Sequence, residues 1–340
     1  MLPTLLVKGG LMMWLLLLVS GLLLRTAPVE GWVAPGEIDA LRGSVERWTQ
    51  ARPSHHLPLS AQAAAALDAF RRTASEGPGE VLLAGDDDTG ALGGWAPLAW
   101  DSDVLGIRAG RCTSPVWWGD GDVDAALAAV TAAATERADR AGIDLLLLRT
   151  DARDATLPRL LAGQGYWLAD SLVTFTLPLD GATIGEAEVE HARADDLPVL
   201  REIACAFRTG HFHADPRIGG ARADALYVRW VENSLAGRAD AFLVVRGDGG
   251  RPLGFLTCRL SAADGPPHGV IELVAVDPRA QGQRVGRRLL DASLRWFAQA
   301  GAASVEVGTQ VDNLAAVRLY QRAGFQCAAF SHTFHRWAQR

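Results

Sequence analysis

The sequence VDPRAQGQRVGRRLL, residues 276–290, places glycines and arginines in a turn between two regular segments. A strand-like run, 269–276, leads into the turn, and a helix-like run rich in Leu and Arg follows it. Backbone N–H groups converge in such a turn, and the helix adds about half a positive charge at its start. Gly282 and Gly286 would let a ligand approach the backbone closely. The turn predicts an anion site, most often for phosphate, with a plain strand-to-helix turn as the alternative on the glycines alone.

Two nearby side chains could move protons. Tyr320 lies in a predicted helix, 313–324, where a correctly positioned phenol can act as a general acid. Glu272 lies on the strand before the turn, and alternation predicts that it shares one face with Val274 and Val276. It could accept a proton directly or through water. The structural alternatives are a packed tyrosine with a hydrogen-bonded hydroxyl and a charged residue at a strand end.

The elements around these residues occur twice in the sequence. The segment 142–167 resembles 301–326 at an offset of 159 residues, and 81–98 resembles 242–260 at an offset of about 161. Similar segments in the same order at nearly the same offset predict a duplicated fold. The matched pairs at the first offset are Thr150 with Thr309, Asp154 with Asn313, Gly165 with Gly324, and Tyr166 with Phe325.

The two copies differ at the positions where chemistry would occur. The first copy has no counterpart of QGQRVG before its predicted helix, 122–142, and Leu161 stands where Tyr320 stands in the second copy. We infer that the first copy kept its packing positions and lost both its anion loop and its hydroxyl group.

Composition argues against some classes of partner and site. The net charge of −6 and the pI of about 5.8 argue against a nucleic-acid-binding protein. The four cysteines lie far apart without a CxxC pair, so we predict free thiols in a reducing, cytoplasmic environment. His211 and His213 have no third ligand placed by the sequence, so we predict a loop pair and no metal site.

The N-terminal segment 9–24 is apolar and uncharged, and Lys8 and Arg25 flank it. As a helix it would span about 24 Å, which is short of the roughly 30 Å hydrocarbon core of a bilayer. The residues after it form a poor signal-peptidase site. A membrane anchor, a buried helix and an over-extended start are the open alternatives, so a membrane-associated location stays open beside a cytoplasmic one.

The turn and the later helix together resemble the GCN5-related N-acetyltransferase (GNAT) superfamily. That family shows V-x-P-x-x-(Q/R)-G-x-G-x-(G/A), followed by N-x-x-A-x-x-x-Y-x-(K/R)-x-G-F. The resemblance covers about 187–335, with both motifs and all intervening elements in order. The matching residues are Val276, Pro278, Gln281, Gly282 and Gly286 in the first motif, and Asn313, Ala316, Tyr320, Arg322, Gly324 and Phe325 in the second.

This resemblance implies an α/β (α+β) fold with two GNAT-like copies, each a mixed, mostly antiparallel twisted sheet flanked by helices. We expect an N-terminal apolar segment of uncertain role, 1–32, a degenerate copy, 33–180, and a catalytic copy, 187–340. In the family the loop binds the pyrophosphate of acetyl-CoA, and the strand before it splays from its neighbour and pairs with the pantetheine arm. Tyr320 would protonate the leaving thiolate as an amine attacks the thioester, and Glu272 would accept the proton of the amine.

Arg284 departs from the family pattern, which usually has glycine at this position. A left-handed backbone there would cost about 1 kcal/mol or more, whereas a right-handed residue in the first helical turn would be tolerated. The guanidinium could then reach a phosphate. Asn313 is expected either to cap its helix or to contact the pantetheine arm. The residues expected at the cofactor are Val274, Ala275, Val276, Gln281, Gly282, Gln283, Arg284, Val285, Gly286, Arg287 and Asn313.

A narrower resemblance concerns the acceptor. The segments 97–107 and 207–237, together with the two-copy layout, resemble the dTDP-fucosamine acetyltransferases, which N-acetylate a 4-amino-4,6-dideoxy sugar on a nucleotide. This implies a nucleotide-linked amino sugar as the acceptor. A protein, peptide or small amine and a non-catalytic acyl-CoA-binding protein are the alternatives, and a homodimer is left open. The residues expected at the acceptor are Trp100, Tyr227, Trp230 and Asn233.

Overall fold

The computed structural model describes residues 29–51, 59–86, 88–261 and 267–339. The apolar segment 9–24 lies outside these residues, so the alternatives for its role are untouched. Within the described ranges, no helix combines the length and the apolar character that a membrane crossing needs.

The described part of the first copy contains six strands and five α-helices. The strands are β1 (Val29–Trp32), β2 (Glu80–Gly85), β3 (Gly90–Pro97), β4 (Ala109–Trp118), β5 (Leu145–Asp151) and β6 (Trp167–Pro178). The helices are α1 (Arg42–Ala51), α2 (Leu59–Ser75), α3 (Ala99–Leu105), α4 (Val123–Arg140) and α5 (Thr156–Gly163). A 3₁₀ turn, Pro35–Leu41, leads into α1.

The described part of the second copy again contains six strands and five α-helices. The strands are β7 (Glu190–His191), β8 (Ala241–Arg246), β9 (Pro252–Ser261), β10 (His268–Val276), β11 (Ser304–Gln310) and β12 (Gln326–Trp337). The helices are α6 (Leu197–Ala204), α7 (His211–Ala214), α8 (Gly220–Asn233), α9 (Val285–Gln299) and α10 (Leu314–Arg322).

The boundaries of these elements repeat with the spacing found in the sequence. Strands β5 and β11 begin and end 159 residues apart, as do β6 and β12, and β2 and β8 begin and end 161 residues apart. Even a helix cap repeats. Asp154 accepts hydrogen bonds from the backbone of Thr156 and Leu157 at the start of α5, and Asn313 accepts one from Ala316 at the start of α10. The predicted duplicated α/β fold is confirmed.

The two copies exchange their last strands within one continuous sheet. The twelve strands follow the order β1-β2-β3-β4-β5-β12-β6-β11-β10-β9-β8-β7. Strand β6 of the first copy pairs antiparallel with β11 of the second, and β12 of the second copy pairs antiparallel with β5 of the first. The ranges 33–180 and 187–340 therefore describe two sequence copies, each of which needs a strand from the other to complete its part of the sheet.

The exchanged strands also carry hydrophobic side chains into the core of the other copy. Val173 and Phe175 of β6 belong to the apolar cluster that contains Tyr320 and lies under α9 and α10. Phe334 of β12 belongs to the cluster that contains Leu161 of the first copy. Burying a phenylalanine side chain contributes roughly 1.5–3 kcal/mol. The exchange therefore joins the two hydrophobic cores as well as the two halves of the sheet.

Two helix ends are irregular in the segment between β7 and β8. Before α6 the chain forms a 3₁₀ turn, and it becomes α-helical only at Leu197. Helix α8 ends at Asn233, and the chain continues as a π-turn in which Gly237 has a φ of 107°. Glycine tolerates this positive φ, so the helix can stop there and release the chain toward β8.

Candidate active site

The sheet of the second copy opens between β10 and β11. These parallel strands pair from His268 with Ser304 to Ile271 with Val307, and no pairing between them continues beyond this point in the described strands. Strand β10 continues to Val276 while it pairs with β9 on its other edge. Its free edge therefore presents backbone groups into a wedge, as the resemblance implied for Val274, Ala275 and Val276 beside a pantetheine arm. Their contact with a cofactor stays a prediction.

A β-bulge at the apex of this wedge changes which residues share a face. The register between β10 and β9 shifts between Ile271 and Leu273. Leu273 and Ala275 pack in the cluster under α6 and α8, whereas Val274 and Val276 pack against the cluster under α9. The expectation that Glu272 shares a face with Val274 and Val276 is therefore wrong, because the extra residue of a bulge breaks the alternation.

Glu272 lies on the face of the sheet that α6 and α8 cover. Its Oε1 lies 3.5 Å from an Arg238 nitrogen and 3.8 Å from Arg259 Nε. Arg259 extends from the face of β9 opposite Cys258, which lies in the cluster under α9. Glu272 Oε2 is buried and has no hydrogen-bond partner among the described residues. One carboxylate oxygen is thus held by arginines, and the other remains for a proton donor.

The loop after β10 forms the expected strand-to-helix turn. Asp277 accepts a hydrogen bond from the backbone of Arg279, and the chain then makes a 3₁₀ turn before α9 begins at Val285. Gly282 adopts a φ of 80°, which glycine tolerates readily. Gly286 has no such positive φ, and a Cβ there would lie 3.4 Å from Leu319 Cδ2, in ordinary contact between α9 and α10.

Backbone donors of this loop remain available. Within the described part of the chain, the N–H groups of Gly282, Arg284, Val285, Gly286 and Arg287 have no hydrogen-bond acceptor. The first intrahelical bond of α9 is made by the next residue, Arg288, to the carbonyl of Arg284. The first N–H groups of a helix attract anions. The backbone of the loop is therefore arranged to bind a phosphate group.

Arg284 adopts the left-handed conformation, with φ 61° and ψ 14°. It is the single non-glycine residue with a positive φ among the residues that the structure describes. The right-handed alternative is thus wrong, and the position carries a strain of about 1 kcal/mol or more. The Arg284 side chain is exposed and has no ion-pair partner in the described ranges. A strained, unpaired cation at the mouth of an anion loop is consistent with contact to a phosphate.

The other predicted cofactor residues divide by what their side chains already contact. Arg287 pairs with Asp291 at 2.8 Å and donates to the carbonyl of Arg322, so its guanidinium is already engaged. Gln283 donates to the carbonyl of Arg279 at 3.3 Å, and Gln281 is exposed. Val285 is buried in the core. Val285 and Arg287 would therefore contribute mainly their backbone N–H groups to a ligand.

Asn313 serves its own helix. Its Oδ1 accepts from the backbone of Ala316, and its Nδ2 donates to Thr309 Oγ1 at 3.1 Å. Of the two roles expected from the sequence, the structure therefore supports the helix cap.

Tyr320 lies on α10 with its ring between Phe175 and Phe325, at centroid distances of 5.7 and 5.8 Å. The side chain is 1% exposed, and burial raises the pKa of its phenol above the ordinary value. No hydrogen-bond partner for the hydroxyl occurs within the described residues. The phenol therefore stays protonated at neutral pH, and its O–H is free to donate to a bound group.

The first copy repeats the wedge and packs aromatic side chains beside it. Strands β4 and β5 pair from Ala109 with Leu145 to Cys112 with Leu148, which is the same register as in the second copy. Beyond that point Trp117 and Trp118 are buried, and the ring of Trp48 on α1 lies 6.1 Å from that of Trp117. Aromatic side chains and an extra helix thus narrow this part of the first copy, where a pocket of about 330 Å³ remains.

The turn before α4 also lacks the properties of an anion site. Its sequence, GDGDVD, places Asp120, Asp122 and Asp124 at the start of the helix. Asp122 caps the helix by accepting from the backbone of Ala125 at 3.0 Å. A carboxylate thus already satisfies this helix start, and two more acidic side chains would repel a phosphate. This agrees with the inference that the first copy lost its anion loop.

The four residues expected at the acceptor lie on two helices that pack against each other, α3 and α8, and their contact with an acceptor stays a prediction. Tyr227 stacks on Phe207 at 4.5 Å and donates to the carbonyl of Thr209 at 3.3 Å. Burial raises its pKa to about 12. Trp230 packs with the cluster under α8, and the Arg238 guanidinium lies 5.9 Å from the centre of its ring. Trp100 is 37% exposed on α3, and Asn233 ends α8.

A polar group that the sequence analysis did not single out lies at the join of the two copies. Asp170 of β6, Gln310 of β11 and Thr209 form a chain of side-chain contacts, at 3.5 Å and 3.2 Å. Arg149 of β5 donates to Thr333 of β12 at 3.3 Å. In the sequence, Arg149 interrupts an apolar run, LLLLRT, and Asp170 interrupts another, WLADSLV. Charges within apolar runs were the available signal, but only the strand exchange brings them together.

The two histidines do not share a site. His211 contacts His335 at 2.9 Å, whereas His213 contacts Asp224 at 2.9 Å. Near the first pair, a cleft of about 930 Å³ lies between the copies. Its lining includes Asp144, Trp167, Asp215, Arg217 and Trp337.

Comparison with known proteins finds a family match within the second copy. Residues 201–325 match the model of the Acetyltransferase (GNAT) family. The chain is 28% identical over 177 residues to the dTDP-fucosamine acetyltransferase of Escherichia coli O6:H1, which covers 51% of this chain and 72% of the relative. It is 27% identical over 198 residues to the spore coat polysaccharide biosynthesis protein SpsD of Bacillus subtilis, which covers 57% of this chain and 67% of the relative.

A mycothiol acetyltransferase of Sanguibacter keddieii is 34% identical over 179 residues, covering 49% of this chain and 55% of that relative. Among solved structures, a GCN5-related N-acetyltransferase from Sphaerobacter thermophilus aligns with 90% of this chain and 94% of its own, at a TM-score of 0.63 and 16% identity. A tandem GNAT protein from the clavulanic acid biosynthesis pathway aligns with 91% of this chain and 98% of its own, at a TM-score of 0.56 and 14% identity. The C-terminal region of the chain is therefore similar to the GNAT family of acetyltransferases, which use acetyl-CoA as the acetyl donor.

Proposed function

We propose that this protein transfers an acetyl group from acetyl-CoA to the primary amine of a nucleotide-linked amino sugar. The observation that carries the acetyl transfer is the open wedge of the second copy, whose free strand edge ends at a loop with unpaired backbone donors. The pyrophosphate would bind the loop from Gln281 to Arg287, and the pantetheine arm would lie along Val274–Val276. The aromatic side chains packed beside the wedge of the first copy support a single cofactor site.

The two proton-transfer groups reach the wedge from opposite faces of the sheet. Tyr320 belongs to the cluster under α9 and α10, and Glu272 lies on the face under α6 and α8. The nitrogen of the amine attacks the thioester carbon, and the C–S bond breaks. Tyr320 donates its proton to the departing sulfur, and the buried Oε2 of Glu272 accepts the proton that the amine loses, directly or through water.

The acceptor class rests on the relatives and on the cleft between the copies. One relative is named dTDP-fucosamine acetyltransferase, and another is named for polysaccharide biosynthesis. The cleft is lined by Trp167, Trp337 and Arg217, so it offers aromatic surface for a base. A peptide acceptor would need only the groove of one copy and gives no reason for the first copy to persist.

A thiol-release assay tests this proposal. The full chain is incubated with acetyl-CoA and either dTDP-linked or UDP-linked 4-amino sugars, beside a panel of peptides and small amines. We expect turnover with at least one sugar nucleotide. Efficient acetylation of peptides with no activity on any sugar nucleotide would refute the acceptor class and leave the acetyltransferase activity standing. If none of the amines in the panel leads to release of CoA, a non-catalytic acyl-CoA-binding protein would be favoured.

A further inference from the structure

Three residues lie in one row across the join of the two copies. Thr333 of β12 pairs with Arg149 of β5 on one side and with Asp170 of β6 on the other. Directly opposed residues of neighbouring strands extend their side chains to the same face of the sheet. Two strand spacings separate Arg149 from Asp170, which is roughly 10 Å between their backbones. A cation and an anion of the first copy therefore flank a small hydroxyl side chain of the second.

The row lies on the same face as the proposed base and next to the open wedge. Strand β6 pairs with β11, where Leu172 opposes Gln310 at the end of the wedge. Gln310 Nε2 lies 3.5 Å from Asp170 Oδ2, which links the row to β11. Val173 and Phe175 point to the opposite face, into the core with Tyr320. Asp170 and Glu272 thus lie on one face, on strands separated only by β11.

Asp170 carries an unused acceptor. Its Oδ1 is buried and has no hydrogen-bond partner in the described part of the chain. Its Oδ2 has only the long contact to Gln310. A buried carboxylate oxygen without a donor is costly, because its hydration has been lost and nothing replaces it. This arrangement suits a ligand that brings an N–H or O–H group to this oxygen.

Arg149 carries an unused charge. Its Nε donates to Thr333 Oγ1 at 3.3 Å, and no carboxylate of the described residues lies within 4 Å of its guanidinium. The side chain keeps accessible surface, yet the protein around it desolvates it enough to lower its pKa. An exposed arginine whose remaining N–H groups lack partners in the described chain can bind a phosphate or a carboxylate.

The neighbouring histidines do not supply a competing charge. His211 lies close enough for Arg149 to lower its pKa, although burial is the larger cause and His335 also contributes. His335 is likewise kept neutral, since burial outweighs its bond to Asp215. At neutral pH the positive charge at this end of the row therefore belongs to Arg149 alone.

We propose that Asp170 and Arg149 of the first copy form the acceptor-recognition site of the second copy, with Asp170 Oδ1 binding an N–H or O–H group of the sugar and Arg149 binding its phosphate. This inference rests on the proposed function. A sugar phosphate carries both groups at opposite ends of one ring, so it can span the row. The first copy, with its own wedge narrowed, then persists because it completes the substrate site of its partner copy.

Kinetics of the full-length protein test the two roles separately. Arg149→Gln should lower kcat/KM for a nucleotide-linked amino sugar by about tenfold to a hundredfold, and it should leave kcat/KM for the same amino sugar without phosphate unchanged. Arg149→Lys, which keeps the charge, should recover part of the loss. Asp170→Asn should lower kcat/KM about tenfold or more for both acceptors. All three variants should keep the KM for acetyl-CoA.

Arg159→Gln is the matched control. Arg159 also belongs to the first copy, is exposed on α5 and pairs only with Asp124 at 2.6 Å. It should behave as the unmodified protein with every acceptor. Unchanged kcat/KM for the nucleotide-linked sugar in Arg149→Gln, with melting temperatures alike, would overturn the assignment of Arg149.

A binding experiment separates this inference from the proposed function. The protein is saturated with CoA to occupy the cofactor loop, and dTDP, UDP and inorganic phosphate are then titrated by calorimetry. We expect binding of at least one nucleotide diphosphate that weakens at least tenfold in Arg149→Gln. Such binding without acetylation of any sugar nucleotide would sink the proposed reaction and retain the site. If the protein acetylates sugar nucleotides, but the unmodified protein and Arg149→Gln bind the nucleotide diphosphate equally well, the reaction would stand and the site would be refuted.

Discussion

His335 Nδ1 lies 2.7 Å from Asp215 Oδ2, and neither side chain is exposed to solvent. The same carboxylate accepts from Trp337 Nε1 at 2.9 Å and from the backbone of Arg217 at 3.0 Å. The carboxylate therefore receives the Nδ1 proton of His335, which leaves Nε2 of the neutral ring to accept from His211 at 2.9 Å. This series of hydrogen bonds fixes both histidine rings beside the row of Arg149 and Asp170.

These two histidines should make stability depend on pH. Burial lowers the pKa of both His211 and His335 in the folded protein. The unfolded chain then binds more protons below its histidine pKa of about 6.5, so the free energy of unfolding should fall as the pH drops from about 7 toward 5. Urea unfolding at several pH values measures this slope. His211→Gln keeps a donor for His335 and should flatten the slope, whereas an unaltered slope would assign the effect to other groups.

Tyr320→Phe should lower kcat by roughly a hundredfold or more with little change in the affinity for acetyl-CoA, because the phenol acts only as the sulfur leaves. The stability should hardly change, since its hydroxyl has no partner in the described chain. Tyr166→Phe is the control in the first copy, where the hydroxyl lies 2.8 Å from Thr135 Oγ1. That variant should lose about 1 kcal/mol of stability and keep its turnover. Near-normal kcat in Tyr320→Phe would remove the tyrosine from the mechanism.

The Arg284 side chain should lower the stability of the fold and raise the affinity for acetyl-CoA. Arg284→Gly removes a side chain from a backbone with a φ of 61°, so the free energy of unfolding should rise by about 1 kcal/mol. Arg284→Ala keeps the strain and loses only the cation. If the guanidinium contacts a phosphate, both substitutions should weaken the binding free energy of acetyl-CoA by about 1–3 kcal/mol, as measured by calorimetry. Equal dissociation constants in all three proteins would mean that the Arg284 side chain extends into solvent.

The full chain should bind one acetyl-CoA. Trp48 and Trp117 pack beside the wedge of the first copy, and Asp122 caps the helix at which a pyrophosphate would bind. Calorimetric titration should therefore give a stoichiometry of one per chain. Gly282→Val places a branched residue at a φ of 80° in the loop of the second copy, so it should abolish this binding. Heat that persists at a second site in this variant would show that the first copy still binds the cofactor.

The local features of the fold could be predicted from the sequence because they depend on neighbours along the chain. The cap at Asn313, the turn around Gly282 and the spacing of β5 and β11 follow from residue types and period. The left-handed conformation of Arg284 could not be predicted, because both hands were compatible with the start of a helix. The face of Glu272 was predicted wrongly, since a β-bulge leaves no mark in an alternating apolar run.

The acceptor side of the site could not be predicted for a different reason. Arg149 and Asp170 are distant from the motifs in sequence, and they approach the second copy only because β6 and β12 change places. Nothing in the periodicity of either strand says which β-strand will lie beside it. Pairing across the join is a property of the whole chain, and it decides which residues of the first copy can contact a substrate.

The exchange of β6 and β12 also dictates when the protein can fold during synthesis. Strand β5 emerges from the ribosome long before its neighbour β12, because the other five strands of the second copy lie between them in the sequence. The first copy must therefore wait with one edge of β5 unpaired, and pairing over so long a sequence separation is slow. An open strand edge invites association with other nascent chains. Synthesis of β12, and the availability of chaperones until then, should thus limit the yield of native protein more than the stability of either half.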